Sequence, residues 1–273
     1  MTSTVLRGGF PTFARHFGLS EPGARQALMI HCSMAHSGAM AGLAAGLADM
    51  LSMTAFDLPG HGRSGDWDGS VPLQRQTVDM ALDFLDGPTD LIGHSFGGTV
   101  ALRLACERPD LVRSLTLIEP VFFAAAYADH PGLLEQHGAE MGAVADAIEA
   151  GDRETAARLF LREWGNGMRW ADLPEQMRQK AMEQIHLITA AHDEIGLDSA
   201  GVLSSGAVDR LKVPTLMIAG ANSPHYVEKI NTALARRIDG AISEVIDGAG
   251  HMVAISHAPQ VAAVMRPFLA AQG

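Results

Sequence analysis

Short apolar runs recur along the chain and alternate with longer amphipathic stretches. The runs that predict strands are Ala27–Ile30, Met53–Phe56, Asp90–Ile92, Ser114–Ile118, Thr215–Ala219 and Ser243–Ile246. Runs of this kind are typical of strands buried on both faces of a parallel sheet. The predicted helices between them are Ala39–Met50, Leu73–Leu85, Phe96–Glu107, Val227–Arg237 and Pro259–Ala271. Strands separated by helices predict an α/β fold with a mostly parallel sheet covered by helices on both faces.

The region from Val121 to about Ser205 breaks this alternation. It is rich in Ala, Glu, Arg, Met and Leu, which favour helices, and it contains almost no strand signal. We therefore predict an α/β core formed by residues 1–120 and 206–273, interrupted by a helical insertion at 121–205.

The sharpest chemical signal lies in the segment LIGHSFGGTVAL. Its residues 93–97, Gly-His-Ser-Phe-Gly, fit the pattern G-x-S-x-G between a predicted strand and a predicted helix. A serine at such a tight turn has a strained backbone and needs small neighbours, and the turn lifts its hydroxyl away from the sheet. Ser95 is thus a candidate nucleophile, although the same residue could serve only as a helix N-cap.

A nucleophilic serine needs a base, and the segment VIDGAGHMVAISHAP provides one. His251 lies in a glycine-rich loop after the last predicted strand, far downstream of the serine. His257 is a weaker candidate because it begins the last predicted helix.

Several motifs together resemble one known family. They are MIHCS at 29–33, FDLPGHGRS at 56–64, GHSFGG at 93–98 and GAGH at 248–251, combined with the helical insertion. The chain resembles lidded, esterase-like enzymes of the α/β-hydrolase fold over about residues 25–270. The resemblance implies that residues 121–205 form a lid over the nucleophile, but it is poorly specific for substrate.

The family's catalytic acid normally follows the seventh strand, where this chain has Ala221–Ser223 and no carboxylate. Some members carry the acid after the sixth strand, and that position here holds Glu119. The resemblance therefore implies the order Ser95, Glu119, His251, with the carboxylate orienting the imidazole. Weaker candidates for the acid are Asp247, Asp193 and Glu194.

The oxyanion hole departs from the family pattern. Family members often have His-Gly after the third strand, whereas this chain has His31-Cys32-Ser33. The resemblance implies that the backbone N–H groups of Ser33 and Phe96 bind the oxyanion. Cys32 restricts positive φ angles, so we expect a reshaped loop. A small buried residue is the favoured interpretation of Cys32, ahead of a reactive thiol.

Aromatic and methionine side chains are frequent in the insertion. We predict that Phe122, Trp164 and Met168 line the substrate pocket, while most of the other large apolar side chains form helix cores. An apolar lid above a serine nucleophile favours a substrate with an uncharged acyl or alcohol part.

Composition narrows the partners further. The formal net charge of −11 disfavours nucleic acid, and two cysteines among 273 residues suit a reducing, cytoplasmic environment. We expect no signal peptide and no membrane span.

The segment GHGRSG at 60–65 fits a dinucleotide fingerprint, but Pro59 precedes it and no helix starts inside it. We expect no cofactor and no metal, and a homodimer is compatible with the sequence.

The sequence thus predicts a serine hydrolase that cleaves a small, largely apolar carboxylic ester through an acyl-enzyme. Lactones, thioesters and carbon–carbon bonds are alternative substrates. A non-hydrolytic ligand-binding protein of the same fold is a competing hypothesis, motivated by the missing acid after the seventh strand.

Overall fold

The structure of the protein is a computed structural model that describes residues 4–273. Its strands are β1 (Val5–Arg7), β2 (Phe10–Thr12), β3 (Ala14–Gly18), β4 (Gln26–Ile30), β5 (Ser52–Phe56), β6 (Thr89–His94), β7 (Val112–Ile118), β8 (Thr215–Gly220) and β9 (Ile242–Ile246). β1 and β2 form an antiparallel pair, and the other strands form one sheet in the order β3-β5-β4-β6-β7-β8-β9. Only β3 runs antiparallel to its neighbour in this sheet.

Helices cover both faces of the sheet. They are α1 (Ala41–Ala45), α2 (Leu73–Leu82), α3 (Phe96–Glu107), α4 (Phe123–Asp129), α5 (Gly132–Glu149), α6 (Arg153–Trp164), α7 (Glu175–Gln184), α8 (His186–Ala190), α9 (His192–Ile195), α10 (His225–Ala235), α11 (Val253–Ser256) and α12 (Ala258–Ala270). Alternate strand residues contribute to opposite faces, so Leu91 packs in the layer of α2, α3 and α10, while Ile92 packs in that of α1, α11 and α12.

The predicted α/β fold with a mostly parallel, doubly covered sheet is confirmed, and the differences lie at its edges. The predicted helix Ala39–Met50 is shorter, because a 3-10 turn at Ser37–Met40 precedes α1 and turns follow it. Strands β1, β2 and β3 were not predicted from the sequence. Edge strand β3, with the sequence ARHFG and mostly exposed side chains, has no apolar run that could reveal it.

Helices α4 to α9 lie between β7 and β8 and constitute the helical segment, residues 121–205. Part of this segment has its own small core, which contains Val144, Ala156, Ala157, Ala181 and Ile185. The segment follows β7 directly, so it begins at the carboxyl edge of the sheet, where ligands of open α/β sheets bind.

Glu194 attaches the helical segment to the α/β core. Its carboxylate accepts hydrogen bonds from the backbone N–H groups of Gln74 and Arg75 at 2.8 and 3.1 Å, at the start of α2. It also forms an ion pair of 2.8 Å with Arg103 of α3, and both side chains are largely buried. A negative charge at a helix N-terminus is favourable, so this contact stabilises α2 as well as the segment.

Ser95 lies in the turn between β6 and α3 and has the unusual angles φ 55° and ψ −119°. Its N–H donates to the carbonyl of Ile118 at 2.9 Å, which ties the turn to β7. The turn has no room for side chains at the neighbouring glycines. A Cβ on Gly97 would lie 2.2 Å from the Ile30 carbonyl oxygen, and one on Gly93 would lie 2.3 Å from that of Gly97. Close packing therefore holds the serine in a backbone conformation that favours glycine.

The burial of the Glu194 ion pair gives a stability prediction. Glu194→Ala leaves the mostly buried Arg103 without one of its carboxylate partners, so we expect the free energy of unfolding to fall by about 3 kcal/mol. Asp172→Ala, which breaks an exposed ion pair with Arg169, is the control and should cost less than about 1 kcal/mol. Urea denaturation measures both, and equal losses would contradict the anchoring role.

The backbone of Ser95 gives a second prediction. Glycine tolerates a positive φ, so Ser95→Gly removes the backbone strain together with the hydroxyl. Ser95→Ala removes the same hydroxyl but keeps the strain. We therefore expect the glycine variant to be more stable than the alanine variant by roughly 1 kcal/mol. Thermal and denaturant unfolding of the two variants check this, and an alanine variant that is at least as stable would contradict it.

Candidate active site

Ser95, His251 and Glu119 form a continuous hydrogen-bonded chain at the carboxyl edge of the sheet. His251 Nε2 lies 2.9 Å from Ser95 Oγ, and His251 Nδ1 lies 2.9 Å from Glu119 Oε2. All three side chains are buried. The Nδ1–H of His251 donates a hydrogen bond to the Glu119 carboxylate, so the unprotonated Nε2 faces the serine hydroxyl and can accept its proton.

Glu119 follows the last residue of β7 and has a positive φ of 52°. Its backbone N–H donates to the carbonyl of Ile218 at 2.8 Å. Its second carboxylate oxygen, Oε1, accepts hydrogen bonds from the Gly220 N–H at 2.6 Å and from Ser223 Oγ at 2.7 Å. The turn after β8, which carries no acid, thus supplies two donors to the acid of the neighbouring strand.

Opposing effects act on the Glu119 carboxyl group. Burial is the largest single effect and by itself raises its pKa. The hydrogen bonds from His251, Ser223 and Gly220, together with the charge of His251, outweigh burial and hold the pKa below its usual value. The side chain is therefore a carboxylate at neutral pH and can stabilise a positive imidazolium.

His94 and Trp164 fix His251 from two sides. Burial lowers the pKa of His94 to about 4, so its ring is neutral, and its Nε2–H donates to the His251 carbonyl oxygen at 2.9 Å. The Trp164 ring from α6 meets the His251 ring edge-on with centroids 4.8 Å apart. The helical segment consequently touches His251 directly.

The loop after β4 takes its positive φ at Met34, at 62°, so Cys32 does not need one. The Met34 N–H donates to His61 Nε2 at 3.0 Å. Burial lowers the pKa of His61 to about 4, which leaves a neutral ring able to accept this bond. Burial also raises the pKa of the Cys32 thiol to about 12, so the thiol stays protonated, which favours a packing role.

Ser33 and Phe96, the predicted oxyanion donors, line the same cavity as Ser95. Phe96 is the first residue of α3, so its N–H has no acceptor within the helix. In the part of the chain that the structure describes, the Ser33 N–H has no hydrogen-bond partner either. Both groups can therefore bind an oxygen of a ligand.

A cavity of about 1380 Å³ extends from Ser95 and His251 beneath the helical segment. Trp164 and Met168, two of the residues expected at the substrate pocket, line this cavity. Phe122 does not, and that prediction is wrong. Its side chain is 1% exposed in the core below the cavity, and the next residue, Phe123, lines the cavity instead. The reason is that Phe122 precedes the first turn of α4, where successive side chains point in different directions.

The weaker candidates lie away from the hydrogen-bonded chain. Asp247 and Asp193 are exposed, and Glu194 is occupied at the start of α2. His257 lies 2.9 Å from the hydroxyl of Ser256.

Among residues 4–273, no group of His, Cys, Asp and Glu has the arrangement of a metal site. None of the described helices is both long and apolar enough to span a bilayer.

The residues that hold Glu119 and His251 in place were not predicted from the sequence. Ser223 and Gly220 donate to Glu119, and His94 donates to the His251 carbonyl. The only signal for Ser223 was its place in the turn where an acid was expected. His94 occupies a variable position of G-x-S-x-G, so the motif indicates nothing about its partner.

Comparisons with known proteins agree with this architecture. A family model described as "Alpha/beta hydrolase family" matches residues 27–264. The chain is similar to a pimeloyl-[acyl-carrier protein] methyl ester esterase of Methylococcus capsulatus, with 29% identity over 90% of this chain and 94% of that protein. It is also similar to lipase LipV of Mycobacterium tuberculosis, with 31% identity over 79% of this chain and 82% of that protein.

Solved structures share the fold at lower identity. An alpha/beta hydrolase from Sphaerobacter thermophilus superposes with a TM-score of 0.72 and 20% identity, covering 97% of this chain and 99% of that chain. An enol-lactonase from Burkholderia xenovorans gives a TM-score of 0.69 at 20% identity, covering 98% and 99%. With the family match across most of its length, the chain belongs to the alpha/beta hydrolase family.

Proposed function

We propose that this protein is a serine hydrolase that cleaves a small, largely apolar carboxylic ester through an acyl-enzyme. Ser95 is the nucleophile, and His251 is the general base and acid. Glu119 orients the imidazole ring and stabilises its positive charge. The observation that carries the proposal is the chain of two 2.9 Å hydrogen bonds from Ser95 through His251 to Glu119. Its members have the donors and acceptors that nucleophilic catalysis by serine requires.

In the first step His251 Nε2 takes the proton from Ser95 Oγ as that oxygen attacks the ester carbonyl carbon. The imidazolium that forms has its Nδ1–H on the Glu119 carboxylate, which stabilises its positive charge. The carbonyl oxygen becomes negative and is bound by the N–H groups of Ser33 and Phe96. Because Phe96 begins α3, the helix N-terminus adds a favourable partial positive charge.

The tetrahedral intermediate then collapses, and the bond to the alcohol breaks. His251 Nε2 gives its proton to the leaving alkoxide, and Ser95 is left acylated. Water enters, and His251 Nε2 removes its proton as the water oxygen attacks the acyl carbon. The second tetrahedral intermediate then collapses, the bond to Ser95 Oγ breaks, and His251 returns the proton to that oxygen while the acid leaves. Protons and charges are thus returned to their starting places.

The cavity and the relatives support an ester as the substrate. The wall of the cavity includes Phe123, Phe160 and Trp164, which suit an apolar acyl or alcohol group. The two curated relatives are named as a methyl ester esterase and a lipase. The enol-lactonase shares only the fold, so lactones, thioesters and carbon–carbon bonds stay as alternative substrates. Residues 121–205 would then act as the lid.

The competing hypothesis of a non-hydrolytic ligand-binding protein was based on the missing acid after β8. The 2.9 Å contact between Glu119 and His251 removes that motive, because it provides a carboxylate from β7. The contact therefore favours the enzyme.

Ser95→Ala tests the nucleophile. We expect hydrolysis of p-nitrophenyl esters to fall by roughly 10³- to 10⁶-fold, since no acyl-enzyme can form. A fluorophosphonate should add covalently to Ser95 in the wild type, seen by mass spectrometry, and not in the variant. An alanine variant with wild-type turnover would refute the proposal, as would a folded wild type that binds esters and hydrolyses none.

Glu119→Gln tests the acid. An amide cannot balance the imidazolium and disfavours the correct tautomer, so we expect kcat to fall by about 10³- to 10⁴-fold. Asp247→Asn is the matched control, an exposed carboxylate four residues before His251, and should retain near-wild-type kcat. A Glu119→Gln enzyme with near-full activity would show that the acid lies elsewhere.

The pKa of Glu119 also predicts a pH dependence of stability. Because the pKa is lower in the folded protein than its ordinary value of 4.5, the charged carboxylate stabilises the folded state above that value. This contribution is lost as the pH falls through the lower folded pKa. In urea denaturation between pH 7 and pH 3, the stability advantage over Glu119→Gln should be constant near neutrality and shrink below about pH 4.5. A constant difference would contradict this.

A further inference from the structure

A second pair of polar side chains lies in the wall of the catalytic cavity and has no part in the proposed mechanism. Tyr127 of α4 and His137 of α5 both line the cavity, and the tyrosine hydroxyl is hydrogen-bonded to His137 Nδ1. Both side chains are more than nine-tenths buried, with 9% and 7% exposure. Among residues 4–273, His137 Nε2 finds no hydrogen-bond partner. A buried polar group of this kind requires an explanation, because leaving it unpaired costs stability.

A row of contacting rings along the cavity wall connects the pair to the proposed catalytic residues. The Trp164 ring contacts His251 with centroids 4.8 Å apart, and it meets the Phe123 ring at 5.9 Å. Phe123 in turn stacks on His137 at 4.2 Å. These three contacts form an apolar wall that leads from His251 to His137. A substrate whose scissile bond lies at Ser95 can therefore extend along this wall towards the pair.

Both members of the pair are neutral near pH 7. Burial lowers the pKa of His137 to about 4 and raises that of Tyr127 above its usual value. If the tyrosine O–H donates to Nδ1, the Nε2–H of His137 is an unused donor. If Nδ1–H donates instead, the tyrosine O–H is the unused donor and Nε2 is an unused acceptor. Either arrangement leaves a donor that an oxygen atom can satisfy.

The charge beside the pair limits which oxygen it would bind. Glu140, one turn along α5 from His137, accepts a hydrogen bond of 2.7 Å from the Tyr226 hydroxyl, and its negative charge acts on the His137 ring. Glu140 exerts the largest charge effect on the His137 ring, ahead of the opposing effects of His192 and of His225, so a carboxylate or phosphate at the pair would be repelled. A neutral oxygen avoids that cost.

We propose that Tyr127 and His137 form a polar subsite that binds a hydroxyl or carbonyl oxygen carried by the substrate at a distance from the scissile ester. The proposal rests on the proposed function, since it names a feature of the substrate of the same site. It makes the substrate an apolar chain interrupted by one neutral oxygen, and the pair a determinant of specificity.

The test compares plain esters with oxygen-bearing esters of the same length. Methyl esters of straight-chain acids are prepared unsubstituted, with a hydroxyl or keto group at successive positions, and with a terminal carboxylate; a second series carries the same groups on the alcohol. The wild type should prefer a hydroxy or keto ester at one position by roughly three- to tenfold in kcat/KM, the worth of one neutral hydrogen bond. The carboxylate ester should gain nothing.

His137→Phe keeps the stacked ring and removes both nitrogens. It should lower the ratio of oxygenated to plain kcat/KM to about one, while turnover of plain esters changes by less than about threefold. His192→Phe is the matched control, since His192 also lines the cavity but is exposed, and it should keep the wild-type ratio. Tyr127→Phe, which removes only the hydroxyl, should lower the ratio as well and serves if His137→Phe does not fold.

The outcomes separate the two proposals. Plain esters turned over with no preference at any position, or with a preference that both His137→Phe and Tyr127→Phe retain, would overturn the subsite and leave the hydrolase intact. Failure of the wild type to hydrolyse any ester would overturn the proposed function, and the subsite with it. A preference for the carboxylate ester would contradict the assignment of a neutral oxygen.

Discussion

The site depends on one carboxylate that bridges three parts of the fold. Glu119 Oε2 holds His251 from the loop after β9, while Oε1 accepts bonds from Gly220 and Ser223 in the turn after β8. The residue itself lies in the turn that follows β7. A carboxylate has enough acceptor capacity for all these donors, and their bonds keep it ionised although it is fully buried. The acid therefore holds the proposed active site together and fixes the tautomer of its histidine.

Much of this arrangement could be predicted from the sequence, because its signals are local. Apolar runs predicted the strands of the parallel sheet, and the turn chemistry around Ser95 identified the tight connection to α3. The edge strand β3 was not predicted, because its side chains are mostly exposed and show no alternation of apolar and polar residues. The sequence did not reveal that Phe123, and not Phe122, lines the cavity. The direction of a side chain at the start of a helix depends on backbone dihedral angles, which composition does not determine. The donor role of Ser223 depends on how neighbouring strand ends meet, which no short segment encodes.

Three strained backbone positions lie in the turns that follow β4, β6 and β7. Met34, Ser95 and Glu119 are non-glycine residues with positive φ, and each has a backbone N–H bonded to a neighbouring element. Met34 is bound to His61, Ser95 to β7 and Glu119 to β8. Such conformations persist only where the surrounding structure fixes them. The close-packed sheet edge provides that constraint, and it holds the proposed reacting groups in line before any ligand binds.

The helical segment shares in this alignment. One of its carboxylates, on Glu194, is buried against α2 and α3, and one of its rings, on Trp164, contacts His251. The first contact limits how the segment can move, because separating it from the core would expose or unpair a buried charge. The second places an apolar ring against the imidazole. The segment that encloses the cavity therefore also helps to position the proposed base. A movement of this segment would change both the shape of the cavity and the position of the His251 ring.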